Sequence, residues 1–555
     1  MSEKNVNRRT FLQYGGSAAA AAASVGLAGC GENGNGNGNG NGNGNGNGNG
    51  NGNGNGNGNG NGDPVEAELR EFDASVPDDA SREEILQAAN GLWNALAPWV
   101  FLHQQFSIYG VNEELEWEAR GDEDIIAREI DTDRDEITVT QGTFPTAMDP
   151  MDHNDTPTYN VLDAAYEPVL FRDLDGRPIG LIATDWERLD ETTIALDVRE
   201  DVSFHSGDSL EAADVAFSIN RANDPEISDQ AGVIGGIEEA RVEDGRVVVD
   251  LTRIEPAIFR NLTAFGRVME EDWTTDRDQG ELNAGEVNGT GAYELSEFSD
   301  DNFVEFERFG DYWGDNPGAE TVRFNAVSDE GTRVDRLIAG ESDLITNVNP
   351  RDVAEVDEED GLEIQGVPSI RSIFLVMNDA KEPFDSREFR QAMNFAVDVD
   401  AIIESILNGF GDRTSQPTLE GHFGFNPDVD PYPHDPERAE RLVEASGHAG
   451  IEITLHTTTG RYLRDADIAE TAAEQINQLD NVTCDADLRD TQSLFAETLD
   501  GDQGTSPAFF LIGWGNPTFD ANYTMEPWSD PDDIFAHFSD DELLDLIGRS
   551  NELVE

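Results

Sequence analysis

Lysine is nearly absent from this 555-residue chain. It stands only at Lys4 and Lys381, and arginine supplies the rest of the 35 basic residues. Acidic residues number 115, which gives a formal charge of −80. Phosphate contacts need a basic face, so the deficit excludes nucleic acid as a partner. Cysteine is as scarce, at Cys30 and Cys484 alone, and two thiols make no disulfide framework. The apolar run 15–29 is shorter than the roughly 20 residues of a membrane span. Catalytic signatures are missing too: there is no Gly-x-Ser-x-Gly, no His-Glu-x-x-His and no phosphate-binding Gly-x-x-x-x-Gly-Lys. The eight histidines, among them His153, His205, His422 and His434, are scattered rather than spaced as metal ligands. These absences argue against an enzyme, a transporter ATPase, a resident metal and a cofactor.

What is abundant is negative charge on a chain that still carries 37% hydrophobic residues. Self-repulsion of that size strains a compact fold at low ionic strength, whereas near 1 M salt the screening length falls to roughly 3 Å. The composition therefore reads as a halophile's surface on a folded body rather than as an acidic disordered chain.

The N-terminus reads as an address. Asn7-Arg8-Arg9-Thr10-Phe11-Leu12 carries a twin-arginine export pattern, and Leu27-Ala28-Gly29-Cys30 resembles a lipoprotein cleavage site that would leave Cys30 to take a lipid. Residues 1–30 are thus expected to be a signal. Residues 31–63 are expected to be a tether, because the Asn-Gly repeat from Asn33 to Gly62 cannot bury apolar surface. About 30 such residues reach roughly 30 Å.

In the body of the chain, 195–221 reads as strand, turn and helix. Leu196 and Val198 alternate with Asp197 and Arg199, Ser206-Gly207-Asp208 turns, and Ser209 is placed to cap a helix. Residues 373–377 (IFLVM) read as a buried strand, followed by a helix capped at Asp385 with Glu388 at its third position. Pro436 opens a helix that Gly447 closes. Strand, helix, strand over 451–455, 467–479 and 482–488 predicts mixed α/β structure, with Cys484 in its core. Asp131-Thr132-Asp133-Arg134-Asp135 is not a calcium loop, since Glu136 and Gly142 occupy the positions that require Gly and Glu; 121–136 reads as a linker.

Residues 195–221 (ALDVREDVSFHSGDSLEAADVAFSINR) closely resemble a signature of the family 5 extracellular solute-binding proteins, the peptide, dipeptide and nickel receptors of ABC importers. NGTGAYELSEF, GDYWG and GESDLIT resemble further segments of that family, as do 373–408 and DPERAERLVEASG. The resemblance implies an α/β, two-lobed periplasmic-binding-protein-like fold of type II, in the large peptide-binder class, with mixed sheets and a hinge. It implies lobe 1 over 137–372 (with a subdomain near 166–285), lobe 2 over 373–520, and a return to lobe 1 over 521–555. It also implies a first loop, 142–155, that lines the ligand cleft and offers Thr143, Thr146, Met148 and Asp149, with Asn378 near the hinge. In the family's peptide binders a Gly-Trp pair is followed by an aspartate that holds the peptide's amino terminus. Here Trp514 is followed by Asn516 and, only later, by Asp520. The implied partners are a small-molecule or peptide ligand, an ABC permease with its ATPase subunits, and the membrane through the Cys30 lipid; a monomer is expected. A nickel complex, heme or oligosaccharide as ligand, and a surface protein that kept the fold without a ligand, remain open alternatives. Asn154, Asn261, Asn288, Asn481 and Asn522 each begin an Asn-x-Ser/Thr triplet open to surface glycosylation.

One segment is out of place. A capping box at Ser81–Glu84, then Ala97-Pro98-Trp99 and Tyr109-Gly110-Val111-Asn112, resemble the family's C-terminal end but stand near this chain's start. Two readings are open: a circular permutation, with 64–120 packed on lobe 1 and 99–108 beside the strand at 137–140, or a shortened chain with an unrelated extension.

Overall fold

The computed structural model describes residues 68–554 except 154, 232, 300–301, 316–317 and 499–501. The signal, the tether and Asn154 fall outside the described residues. Among those described, no helix is long and apolar enough to cross a membrane.

In chain order the strands are β1 (Trp99–Asn112), β2 (Glu136–Gln141), β3 (Leu170–Arg172), β4 (Pro178–Gly180), β5 (Ala183–Asp190) and β6 (Thr193–Val198). Then come β7 (Ile237–Glu243), β8 (Arg246–Leu251), β9 (Tyr293–Ser299), β10 (Phe303–Arg308), β11 (Thr321–Ala326) and β12 (Leu344–Ile345). The last are β13 (Leu362–Met377), β14 (Gly411–Arg413), β15 (Ile451–Thr457), β16 (Val482–Leu488) and β17 (Phe509–Gly515). One large mixed sheet runs β16-β15-β17-β13-β1-β12-β2-β11-β10-β9, with β14 paired to β1. A separate four-stranded sheet, β5-β6-β8-β7, carries the 195–198 motif on β6.

β1 and β13 are the longest strands and pair antiparallel along their length, from Trp99 opposite Val376 to Asn112 opposite Leu362. Register shifts near Phe101 and Gln104 bend the pair, as bulges do. The hydrophobic interior divides along β1. Trp99–Ile108 pack with 373–377, 389–397, 509–512 and 543–547, whereas Tyr109 and Val111 pack with Ile137, Val139, Phe204, Val249 and Phe324. β1 is thus shared by the two cores and connects the two lobes.

Several local readings hold for clear physical reasons. Helix α1 (Arg82–Leu96) starts with a complete capping box at Ser81 and Glu84, and ends where Ala97 turns left-handed ahead of Pro98. Pro436–Ser446 is capped by Asp435 and closed by Gly447 at φ 82°. β15 and β16 pair in parallel, and Cys484 is buried between apolar neighbours.

Other readings are corrected. The 387–396 helix is capped by Ser386, one residue after Asp385, and the 212–222 helix by Glu211 rather than Ser209. Residues 74–108 share one core with 334–364 of the expected lobe 1 and with 373–547, where Trp99 stacks on Phe374 at 3.7 Å, while 109–119 join the other core. The chain's last segment joins the same core through Met525, Trp528, Leu543 and Ile547. β1 does not pair with β2, because β12 lies between them in the sheet. Segment 121–136 is not a loose linker: Ile125, Ile126, Ala127 and Ile130 are sealed from water, and Asp122 and Asp124 are bound to Arg172. Flanking acids hide that short apolar run in the sequence. Glycosylation is also disfavoured at Asn261, Asn288 and Asn522, which are buried; the side-chain amides of the last two are hydrogen-bonded inside the protein.

Candidate functional site

A cleft of about 1410 Å³ opens where the two cores meet. From the first core it is lined by the end of β2, by the 253–267 segment and by helix α2 (Thr156–Leu162). From the second it is lined by the 459–467 turn, the end of β17, helix α3 (Ala521–Ser529) and the 530–535 loop. Its floor is the middle of β13, at Ile370 and Arg371, together with the acidic run Asp122-Glu123-Asp124.

Aromatic rings make the second core's wall. Trp514, Tyr523 and Phe535 pack together, with ring centroids 5.7 Å apart for Trp514 and Tyr523 and 4.8 Å for Trp514 and Phe535. Tyr462 completes the wall. Its hydroxyl donates to the Gly513 carbonyl at 3.2 Å, and a side chain at Gly513 would collide with its ring. The turn that carries Tyr462 is held by one buried carboxylate: Asp465 accepts from the Thr458 hydroxyl and from the backbone amides of Gly460, Arg461 and Tyr462. Contacts across the cleft include the Arg253–Glu526 ion pair at 2.9 Å and the stacking of Phe265 on Tyr523.

The lining carries fifteen carboxylates and seven guanidiniums, and among the described residues it has no histidine, cysteine or methionine. Several of the arginines are engaged by carboxylates. Arg172 holds Asp122 and Asp124, Arg267 holds Asp163, and Arg371 holds Glu123. Arg333 is instead wrapped by the carbonyls of Val327, Ser328, Thr346 and Asn347. Burial pushes the Asp124 carboxyl up to about 7 against the pull of Arg172. Burial also raises Glu255 and Asp229 above the ordinary carboxylate range. Burial works against the Arg371 charge, yet Glu123 lifts it above its ordinary value.

The expected site residues divide sharply. Thr143 and Trp514 line the cleft. Thr146 hydrogen-bonds Asp155 and Thr158 beside it, and Met148 is buried in the first core. Asp149 is fully buried and held by both terminal nitrogens of Arg221 and by Gln279. Asn378 is buried, donating to the Gln503 carbonyl and accepting from the Ala380 amide. Asn516 ties the turn after β17 by donating to the Asp520 carbonyl and the Thr524 hydroxyl. Asp520 is fully buried behind the cleft in a two-point bond with Arg82, so it has no free oxygen to offer an amine. The residues that sequence reading passes over are Glu123, Arg371, Tyr462 and Tyr523. One signal is available: Arg371 is the only charge within the apolar strand segment 370–377.

The model for bacterial extracellular solute-binding proteins, family 5 middle, matches residues 177–536. The glutathione-binding protein GsiB of Pectobacterium atrosepticum is 25% identical over 408 residues, covering 73% of this chain and 79% of that protein. Among solved structures, the substrate-binding protein CtaP of Listeria monocytogenes superposes with a TM-score of 0.65 at 22% identity. DppA of Helicobacter pylori in complex with the peptide STSA gives 0.63 at 20% identity; each comparison covers 76% of this chain and 88% of the other. These likenesses share the two-lobed fold. The chain belongs to the family 5 extracellular solute-binding proteins, a family of solute receptors rather than of catalysts.

Proposed function

We propose that this receptor captures a peptide-like solute in the cleft and delivers it to an ABC permease. The observation that carries the reading is the cleft itself: an aromatic wall faces charged, hydrogen-bonding groups on the opposite lobe, the combination that grips a zwitterion while removing it from water. A relative named for glutathione and a structural neighbour holding a peptide support the same class of solute. A lining without histidine, cysteine or methionine among the described residues offers no such side chain to a bare metal ion or a heme iron, and an open cleft disfavours a surface protein that has lost its ligand. Closure is a hinge motion across β1 and β13, and a solute that touches both lobes shifts the equilibrium toward the closed form. In this proposal Cys30 carries the lipid after twin-arginine export, the Asn-Gly tether provides reach, and the monomeric body works in high salt outside the cell.

Thermal unfolding in molar KCl with pools of short peptides tests the reading. A solute at one hundred times its dissociation constant stabilises the protein by about 2.7 kcal/mol. No shift with any peptide pool, alongside a shift with sugars or metal complexes, would replace the proposed solute class.

A further inference from the structure

We infer that Arg371 on the cleft floor anchors a free carboxylate of the solute through the end-on edge of its guanidinium, Nη1 and Nη2. The inference rests on the cleft being the solute site and names the solute group that its floor receives.

Arg371 stands opposite Gly515 in the β13–β17 pairing, at the strand end beside Trp514. Gly515 makes room for it: a Cβ there would stand 3.1 Å from Nη2 and 3.5 Å from Nη1. Nη2 donates to Glu123 Oε2 at 2.8 Å, and Nε donates to Glu123 Oε1 at 3.2 Å. Glu123 Oε2 also accepts from the Thr156 hydroxyl at 3.4 Å. Both Glu123 oxygens are therefore taken. Glu123 is a positioning residue that fixes the plane of the guanidinium, not a partner for the solute. A guanidinium carries five N–H groups in a planar fork. Glu123 takes the two on the Nε side, so the second Nη2 proton and both Nη1 protons remain. Nη1 has no protein partner among the described residues and is not sealed from the cleft. The remaining edge is one that takes a carboxylate in a two-point bond. Tyr462 and Tyr523 of the aromatic wall are close enough to act on the same charge, so the edge lies near the rings that would cover the solute.

The other cleft arginines are less suited. Arg172, Arg253, Arg267 and Arg464 are paired with carboxylates, and Arg333 is wrapped by carbonyls. Arg461 has no carboxylate partner among the described residues and lies over the Tyr462 ring at 5.0 Å, but it is exposed. Arg371 is 15% exposed. In molar salt the screening length is roughly 3 Å, so an exposed cation attracts little beyond direct contact, and the many acids of the lining repel little. What survives that screening is a direct, largely desolvated two-point bond, which Arg371 offers.

The carboxylate comes from a peptide's C-terminus or from an acidic side chain, and the test separates these sources. Thermal unfolding of the full chain in molar KCl is followed against three pools of tripeptides with free amino termini. The first lacks Asp and Glu and keeps its C-terminal carboxylate, the second is the same pool amidated at the C-terminus, and the third is amidated with one Glu in each peptide. The first or the third pool is expected to half-saturate the protein at a concentration at least about tenfold below the second. An advantage of the first names the C-terminus, and an advantage of the third names a side chain. Arg371→Lys keeps the charge and loses the fork, so it should erase the advantage; the pool comparison on the unsubstituted protein stands even if that variant fails to fold. Equal half-saturation by the three pools, or an advantage that survives Arg371→Lys, overturns the carboxylate anchor and leaves the cleft as a peptide site. Failure of every pool to bind overturns both.

Discussion

Arg82–Asp520 and Arg371–Glu123 are both arginine–carboxylate pairs that join distant segments, and they sit in opposite surroundings. The first is sealed, with side chains 3% and 0% exposed, and it fastens helix α1 to the start of α3. The second lies on the floor of the cleft and keeps donors free. A carboxylate near an aromatic pair in the sequence therefore says little about ligand binding until its cation is known. The difference predicts that breaking the sealed pair costs stability, and that breaking the floor pair costs binding.

The largest expected effect is on the sealed pair. Asp520→Ala removes the two-point carboxylate from the buried Arg82 guanidinium and should destabilise the protein by about 3–5 kcal/mol in chemical denaturation. A loss below about 1 kcal/mol would mean that the pair is not sealed in solution. The floor pair should respond less: Arg371→Gln is expected to cost about 1–2 kcal/mol of stability, because Glu123 regains water from the cleft, while ligand affinity falls by about tenfold or more.

Acid should act on buried histidines outside both pairs. Burial lowers His103, His153 and His422 to about 3. Between about pH 6.5 and pH 4 the unfolded chain binds these protons and the folded chain does not, so stability falls as the pH falls through that window. Each group contributes a slope of up to about 1.4 kcal/mol per pH unit. Stability measured at several pH values should show uptake of about three protons on unfolding near pH 5 from these groups. A proton uptake on unfolding that is unchanged when His103, His153 and His422 are each replaced by Gln would contradict their burial as neutral rings.

Much of the fold is legible because its strands are written in long apolar runs. IFLVM at 373–377 and FFLI at 509–512 can only be buried, and they form the centre of the large sheet. The turn residues around Pro436 and Gly447 are equally plain. Position between lobes is harder to read, since 74–108 has the same amphipathic pattern whichever core receives it. The site is legible in part. Trp514 stands out as an aromatic at a strand end, but Asp520 looks alike in sequence whether it holds an amine or an arginine 438 residues away. Glu123 is hidden within a run of acids in a chain where acids are everywhere.

The most direct test of the account is a crystal structure of the protein with a bound peptide-like solute. The account predicts density between Trp514, Tyr523 and Tyr462 and the Arg371–Glu123 floor, with Asp520 still bound to Arg82. Density outside that cleft, or a solute amine seated on Asp520, would contradict it.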